Sequence, residues 1–138
     1  NMHWVYVPGR DYSFYRVGFY SNINKTLAPR GCYSMYVEVS HGQNRKIVLE
    51  EILKGVVADL VKIGFLASAR DVVSLNVLPI KYGYVIYDSE RKRVLAETAA
   101  KLKDKNIYLL GRYGAWKYSY MEESISDGFN LAQKINSC

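Results

Sequence analysis

The feature that most restricts what this chain can fold into is a run of apolar residues at helical spacing. Leu49, Ile52, Leu53, Val56, Val57, Leu60 and Val61 recur at three- and four-residue intervals and the pattern stops at Gly64. A stripe this regular predicts a helix that must bury one face against a partner. The residues before it supply that partner. His3 to Val7, Phe14 to Ser21 and Cys32 to Ser40 read as strands, separated by the turn Pro8-Gly9-Arg10-Asp11 and the polar loop Asn22 to Gly31. In the third strand Met35, Val37 and Val39 are expected to face one way and Tyr36 and Glu38 the other. The stretch His41-Gly42-Gln43-Asn44 is expected to be a loop carrying the helix cap.

Downstream, Asp71 to Leu78 and Lys81 to Tyr87 read as two more strands, with Pro79 marking an edge or bend between them. Asp88 or Ser89 is expected to cap a helix running to about Lys103. The chain then offers a last strand over Ile107 to Leu110 and a turn around Gly111 and Gly114. A closing helix follows, for which Ser119 and Glu122 have the spacing of a capping box. Met121, Ile125, Gly128, Phe129, Ala132 and Ile135 share one face of it. The expected fold is therefore α+β. It is a mixed, largely antiparallel sheet with about three helices packed on it, ending in a strand–turn–helix, in one domain over residues 1–138.

The closing strand–turn–helix is the best candidate for chemistry. A helix N-terminus presents unpaired N–H groups and a partial positive charge, so it favours an electron-rich or anionic ligand. Arg112 adds a planar donor fork suited to phosphate. On the residues alone, an ordinary strand–turn–helix with a surface arginine explains the same pattern and carries more weight.

The run "LLGRYGAWKYSYMEESISDG" resembles the C-terminal flavin-contacting segment of a flavoprotein superfamily. That superfamily holds the flavin-containing amine oxidases, protoporphyrinogen oxidases and UDP-galactopyranose mutases. The stretch "HWVYVPGRDYSFYRVGFYSNINKTLAPRGCYSMYVEVS" is similar to the substrate-domain strands of its bacterial members. The resemblance implies that the chain is the C-terminal part of a cytoplasmic FAD-dependent oxidoreductase, with residues 105–136 returning to the flavin. A mutase-like sugar-nucleotide flavoenzyme is the alternative. It implies backbone approach of Met121 and Glu122 to the flavin pyrimidine edge, with the helix dipole favouring the reduced, anionic ring. Gly111 would permit close approach, and Arg112 would reach the ribityl-phosphate region. Tyr113, Trp116 and Tyr118 would lie near the ring, and Lys117 and Arg16 near a small-molecule substrate. Lys117 stands where the mutases carry a basic residue, and Glu122 stands where they carry aspartate. The superfamily also binds pyrophosphate through a Gly-x-Gly-x-x-Gly fingerprint after a strand. This sequence holds none, so the isolated chain is expected to be colourless and inactive. The opening Asn1-Met2, running directly into strand-like sequence, fits a piece of a longer protein.

Other classes find less support. A self-standing α+β interaction module using its tyrosine-rich sheet remains open, because the chain has 13 tyrosines. The net charge of +6 and the run Arg91-Lys92-Arg93 point to a solvated helix face more than to nucleic acid, with no RNA-binding aromatic motif beside them. Cys32 and Cys138 are too few for a disulfide framework or metal site, and reduced thiols are expected. His3 and His41 stand alone, and Arg70 reads as a surface residue. No Gly-x-Ser-x-Gly, His-Glu-x-x-His or Walker loop is present, and no apolar run is long enough to span a membrane. Substrate, electron acceptor and oligomeric state have no signature in the sequence.

Overall fold

The computed structural model describes residues 2–42 and 46–137. These form two compact units, one ending at Asn76 and the other beginning at Val77.

The first unit is built on a three-stranded antiparallel sheet in the order β1-β2-β3, with β1 Trp4–Tyr6, β2 Arg16–Phe19 and β3 Met35–Glu38. Val5 pairs with Val17 and Val17 with Val37. Because side chains alternate along a strand, this register places one valine from each strand on the same face. Met35, Val37 and Val39 all pack on the core, as their spacing predicts. One short helix, α1 (Tyr20–Ile23), and a 3-10 turn over Lys25–Leu27 interrupt the loop expected between β2 and β3. Asn24 caps the 3-10 turn by accepting from the Thr26 N–H at 3.0 Å.

Helix α2, Leu49–Lys62, covers the sheet. Its Val56 and Leu60 join Val7, Phe14 and Val17 as the buried core, flanked by Ile52, Ile63, Phe65 and Leu66. Two side chains of its C-terminal half grip the loop between β1 and β2. The Asp59 carboxylate accepts from the Ser13 N–H at 2.7 Å, and Lys62 donates to the Asp11 carbonyl at 3.2 Å while lying over the Tyr12 ring. The helix cap expected within His41–Asn44 falls partly on residues 43–45, outside the described residues. The helix itself begins after Val48, without a side-chain cap.

The opposite face of the sheet is aromatic. Arg16 pairs with Glu38 at 3.1 Å, and its guanidinium lies 5.3–5.6 Å from the rings of Trp4, Tyr6 and Tyr36. Tyr36 crosses directly over Gly18, where any Cβ would run into the ring. Glycine in the middle strand therefore makes room for an aromatic on its neighbour.

The second unit contains α3 (Arg91–Lys103), the single turn α4 (Gly111–Gly114) and α5 (Met121–Asn136). Asp88 caps α3 as expected, accepting from the Arg91 N–H at 2.8 Å. The α+β fold class holds, with three long helices and two single-turn ones among the described residues. Three predicted strands do not form. Asp71–Leu78, Lys81–Tyr87 and Ile107–Leu110 join no ladder among the described residues. The physical reason is that strand propensity measures fit to a pleated, half-buried surface, and these segments meet no such surface. Val73, Leu78 and Ile86 are accordingly exposed.

Candidate functional site

The turn expected to carry the chemistry, residues 111–122, is organised by a strap made of residues 82–91 that lies along it. Gly111 opens the turn at φ +69°, a left-handed conformation that glycine adopts without strain. Its N–H donates to Asp127 of α5 at 3.3 Å. The same carboxylate receives Lys117 Nζ at 2.9 Å, so Asp127 ties both ends of the turn to α5. That hydrogen bond holds the Lys117 ammonium above its ordinary range. The Lys117 ammonium, and after it the Gly111 N–H, hold the Asp127 carboxyl below its own.

Arg112 points back into the chain. Its guanidinium donates to the Ser119 carbonyl at 3.3 Å and to the Gly83 carbonyl at 3.2 Å. It also lies over the rings of Tyr84 and Tyr118, which stack on each other at 6.4 Å and 14°. Tyr113 donates its hydroxyl to the Tyr82 carbonyl at 3.0 Å. Trp116 packs edge-on against Tyr82 and beside Tyr113. The Tyr118 N–H donates to the Tyr87 hydroxyl at 2.9 Å. The aromatic residues of the two segments thus interleave, with Arg112 as the cation between them.

Helix α5 begins one residue later than the sequence pattern suggests. The predicted capping box of Ser119 and Glu122 is replaced by Tyr120 and Glu123, whose carboxylate accepts from the Tyr120 N–H at 3.1 Å. Ser119 is instead the buried polar residue of the turn, its hydroxyl 3.4 Å from that of Ser124. Burial of its side chain against α5 removes Ser119 from the capping position. Met121 and Glu122 stand exposed at the open end of the helix, Met121 at 86%. The apolar stripe is exposed as well: Ile125, Phe129 and Ile135 face out. The covered side of α5 is the one carrying Ser124, Asp127, Gly128 and Leu131.

The structure thus brings together Gly111, Arg112, Tyr113, Trp116, Lys117, Tyr118, Met121 and Glu122 in the second unit. Arg16 belongs to the first, held there by Glu38 and three rings. Three residues that organise the turn carry no signal of that role in the sequence: Asp127, Tyr87 and Arg91. The run Arg91-Lys92-Arg93 predicts a solvated basic face. Arg93 does behave that way, paired with Glu90 and Glu97 on the surface. Arg91 turns inward and donates to the Trp116 carbonyl at 2.6 Å. Among the described residues no cluster of His, Cys, Asp or Glu could hold a metal ion, and no helix is long and apolar enough to cross a membrane.

No family model matches this chain. Among solved structures, the fold is similar to that in the crystal structure of reduced UDP-galactopyranose mutase, with a TM-score of 0.62 and 25% sequence identity. The match covers 83% of this chain and 24% of the mutase chain, so the chain spans about a quarter of that protein's length. UDP-galactopyranose mutase is therefore a structural neighbour over most of this chain.

Proposed function

We propose that this chain is the C-terminal part of an FAD-dependent enzyme, with residues 105–136 forming the segment that returns to the flavin. The observation that carries this reading is the likeness to reduced UDP-galactopyranose mutase across 83% of the chain, in a sequence whose tail already resembles the flavin-contact segment. The exposed stripe of α5 supports it: Met121, Ile125, Phe129 and Ile135 form an apolar face of the kind that is normally covered.

The residues at the open end of α5 fit a flat, electron-rich group. Gly111 at φ +69° seats the turn against α5, where an added Cβ would meet Ser124 at 3.6 Å, and the first N–H groups of the 16-residue helix lie beside exposed Met121. Trp116 and Tyr118 offer ring faces at the side. Glu122 opposes full negative charge there, while Glu123 is occupied with the Tyr120 N–H. In this reading Met121 and Glu122 hold the ring edge through their backbone, Gly111 permits the approach, and Lys117 faces the substrate with its charge secured by Asp127. FAD, when bound, supplies a ring that accepts and returns electrons. Of the two chemistries open to the sequence, the neighbour favours the mutase-like sugar-nucleotide reaction over the oxidase-like one.

The test uses the whole protein encoded by the reading frame. A strand–Gly-x-Gly-x-x-Gly–helix unit upstream and a purified protein with a flavin absorption spectrum that bleaches on reduction are expected. Reduced protein should then rearrange a UDP-hexopyranose with no net consumption of oxidant, whereas an oxidase would consume oxygen and release peroxide. Full-length protein that binds no flavin overturns the proposal.

A further inference from the structure

We infer that Arg91, at the start of α3, is a positioning residue that sets the aromatic wall of the turn at residues 115–118. This assignment rests on the flavin reading for its purpose, and on the geometry for its mechanism.

Trp116 has a backbone φ of +42°, in the left-handed region that side-chain-bearing residues rarely occupy. Such a conformation persists where its surroundings over-determine it, and it concentrates at ligand-contacting sites. The surroundings here are few and specific. Arg91 Nε donates to the Trp116 carbonyl at 2.6 Å, and Nη2 reaches the Ala115 carbonyl at 3.4 Å. One guanidinium thus engages the carbonyls of two successive residues, one on each side of the strained φ. The guanidinium carbon lies over the Tyr87 ring, 4.2 Å from its centre. The Tyr87 hydroxyl in turn accepts the Tyr118 N–H at 2.9 Å. The stacked pair Arg91 and Tyr87 therefore clamps the backbone on both sides of Lys117, fixing where the rings of Trp116 and Tyr118 stand. A lysine in place of Arg91 keeps the charge but has neither the two-pronged donor nor the stacking plane.

The clamp is read directly from Trp116. In the 138-residue chain carrying Trp4→Phe, Trp116 is the remaining tryptophan. Arg91→Gln and Arg91→Lys should each increase quenching of its fluorescence by acrylamide and lower its near-ultraviolet dichroism. Arg93→Gln removes the same charge from the same helix, in a residue whose partners among the described residues are Glu90 and Glu97, and should leave both signals unchanged. Loss of helix α3 alone would move them together, so a split between the two arginines identifies positioning. Should Arg91→Gln unfold α3, Tyr87→Phe makes the same test, since it frees the Tyr118 N–H and should speed its hydrogen exchange. Unchanged Trp116 signals in folded Arg91→Gln, or unchanged Tyr118 exchange in Tyr87→Phe, overturn the inference. In the full-length protein Arg91→Gln should shift the reduction potential of bound flavin. A Trp116 response without that shift keeps the clamp and removes the flavin from it.

Discussion

Replacing Gly111 with alanine separates backbone conformation from packing at the centre of the site. At φ +69° an L-residue costs about 1–2 kcal/mol relative to its ordinary conformation. A Cβ there would meet Ser124 Oγ at 3.6 Å and Ser124 Cβ at 3.8 Å, which is normal contact, so no steric cost adds to this. Alanine also narrows the unfolded ensemble, which offsets roughly 0.4–1 kcal/mol. The net expectation is a destabilisation of about 1 kcal/mol. Gly128→Ala is the internal control. That glycine lies inside α5, with nothing within 4 Å of where an added methyl would stand, so alanine should stabilise by roughly 0.5–1 kcal/mol. Two identical chemical changes in one unit should thus act with opposite signs, about 2 kcal/mol apart. Urea unfolding followed by Trp116 fluorescence in the Trp4→Phe background reads this as midpoints separated by about 1–2 M, for a slope of about 1–2 kcal/mol per molar. If Gly111→Ala proves as stable as the parent, the turn does not hold the left-handed geometry that the proposed flavin-facing site requires.

Two further outcomes concern the first unit. Val17, fully buried at the middle of the sheet, should cost about 2–3 kcal/mol on replacement by alanine, measured by denaturant unfolding, because its neighbours on β1, β3 and α2 cannot all collapse into the space. Asp59 should make stability depend on acid. The Ser13 backbone N–H holds its carboxyl below the usual range, so between the folded and unfolded pKa values the unfolded chain binds more protons. Its contribution is therefore present above about pH 4 and lost as pH falls through the lowered folded value. Asp59→Asn should flatten the thermal midpoint in that acid window, and an unchanged acid profile would show that the carboxylate does not anchor the β1–β2 loop.

The first unit was largely legible because each element there satisfies a local and a global rule together. The stripe from Leu49 to Val61 is helical by period and finds the sheet it needs. Met35, Val37 and Val39 alternate and meet the core in that register. In the second unit Asp88 was legible on the same grounds, since it lies at the start of the helix it caps, a contact three residues long. The candidate turn was legible in outline for the same reason, since glycine spacing and an apolar helical period act within a few residues.

The sequence left undecided whatever depends on residues far apart along the chain. Asp71–Leu78, Lys81–Tyr87 and Ile107–Leu110 have strand composition, but a strand exists only where another edge receives its N–H and C=O groups. Ser119 and Glu122 have capping spacing, but burial of Ser119 against Ser124 moved the helix start to Met121. Arg91 and Arg93 are indistinguishable as letters two positions apart on a helix. Only the placement of Tyr87 and the Trp116 carbonyl turns one inward, while the other stays with Glu90 and Glu97. Periodicity and turn chemistry are properties of short segments and can be read from order alone. Partner choice for an arginine or a strand edge is set by what the tertiary fold brings within about 3 Å, and hydrogen bonds exist only at that range.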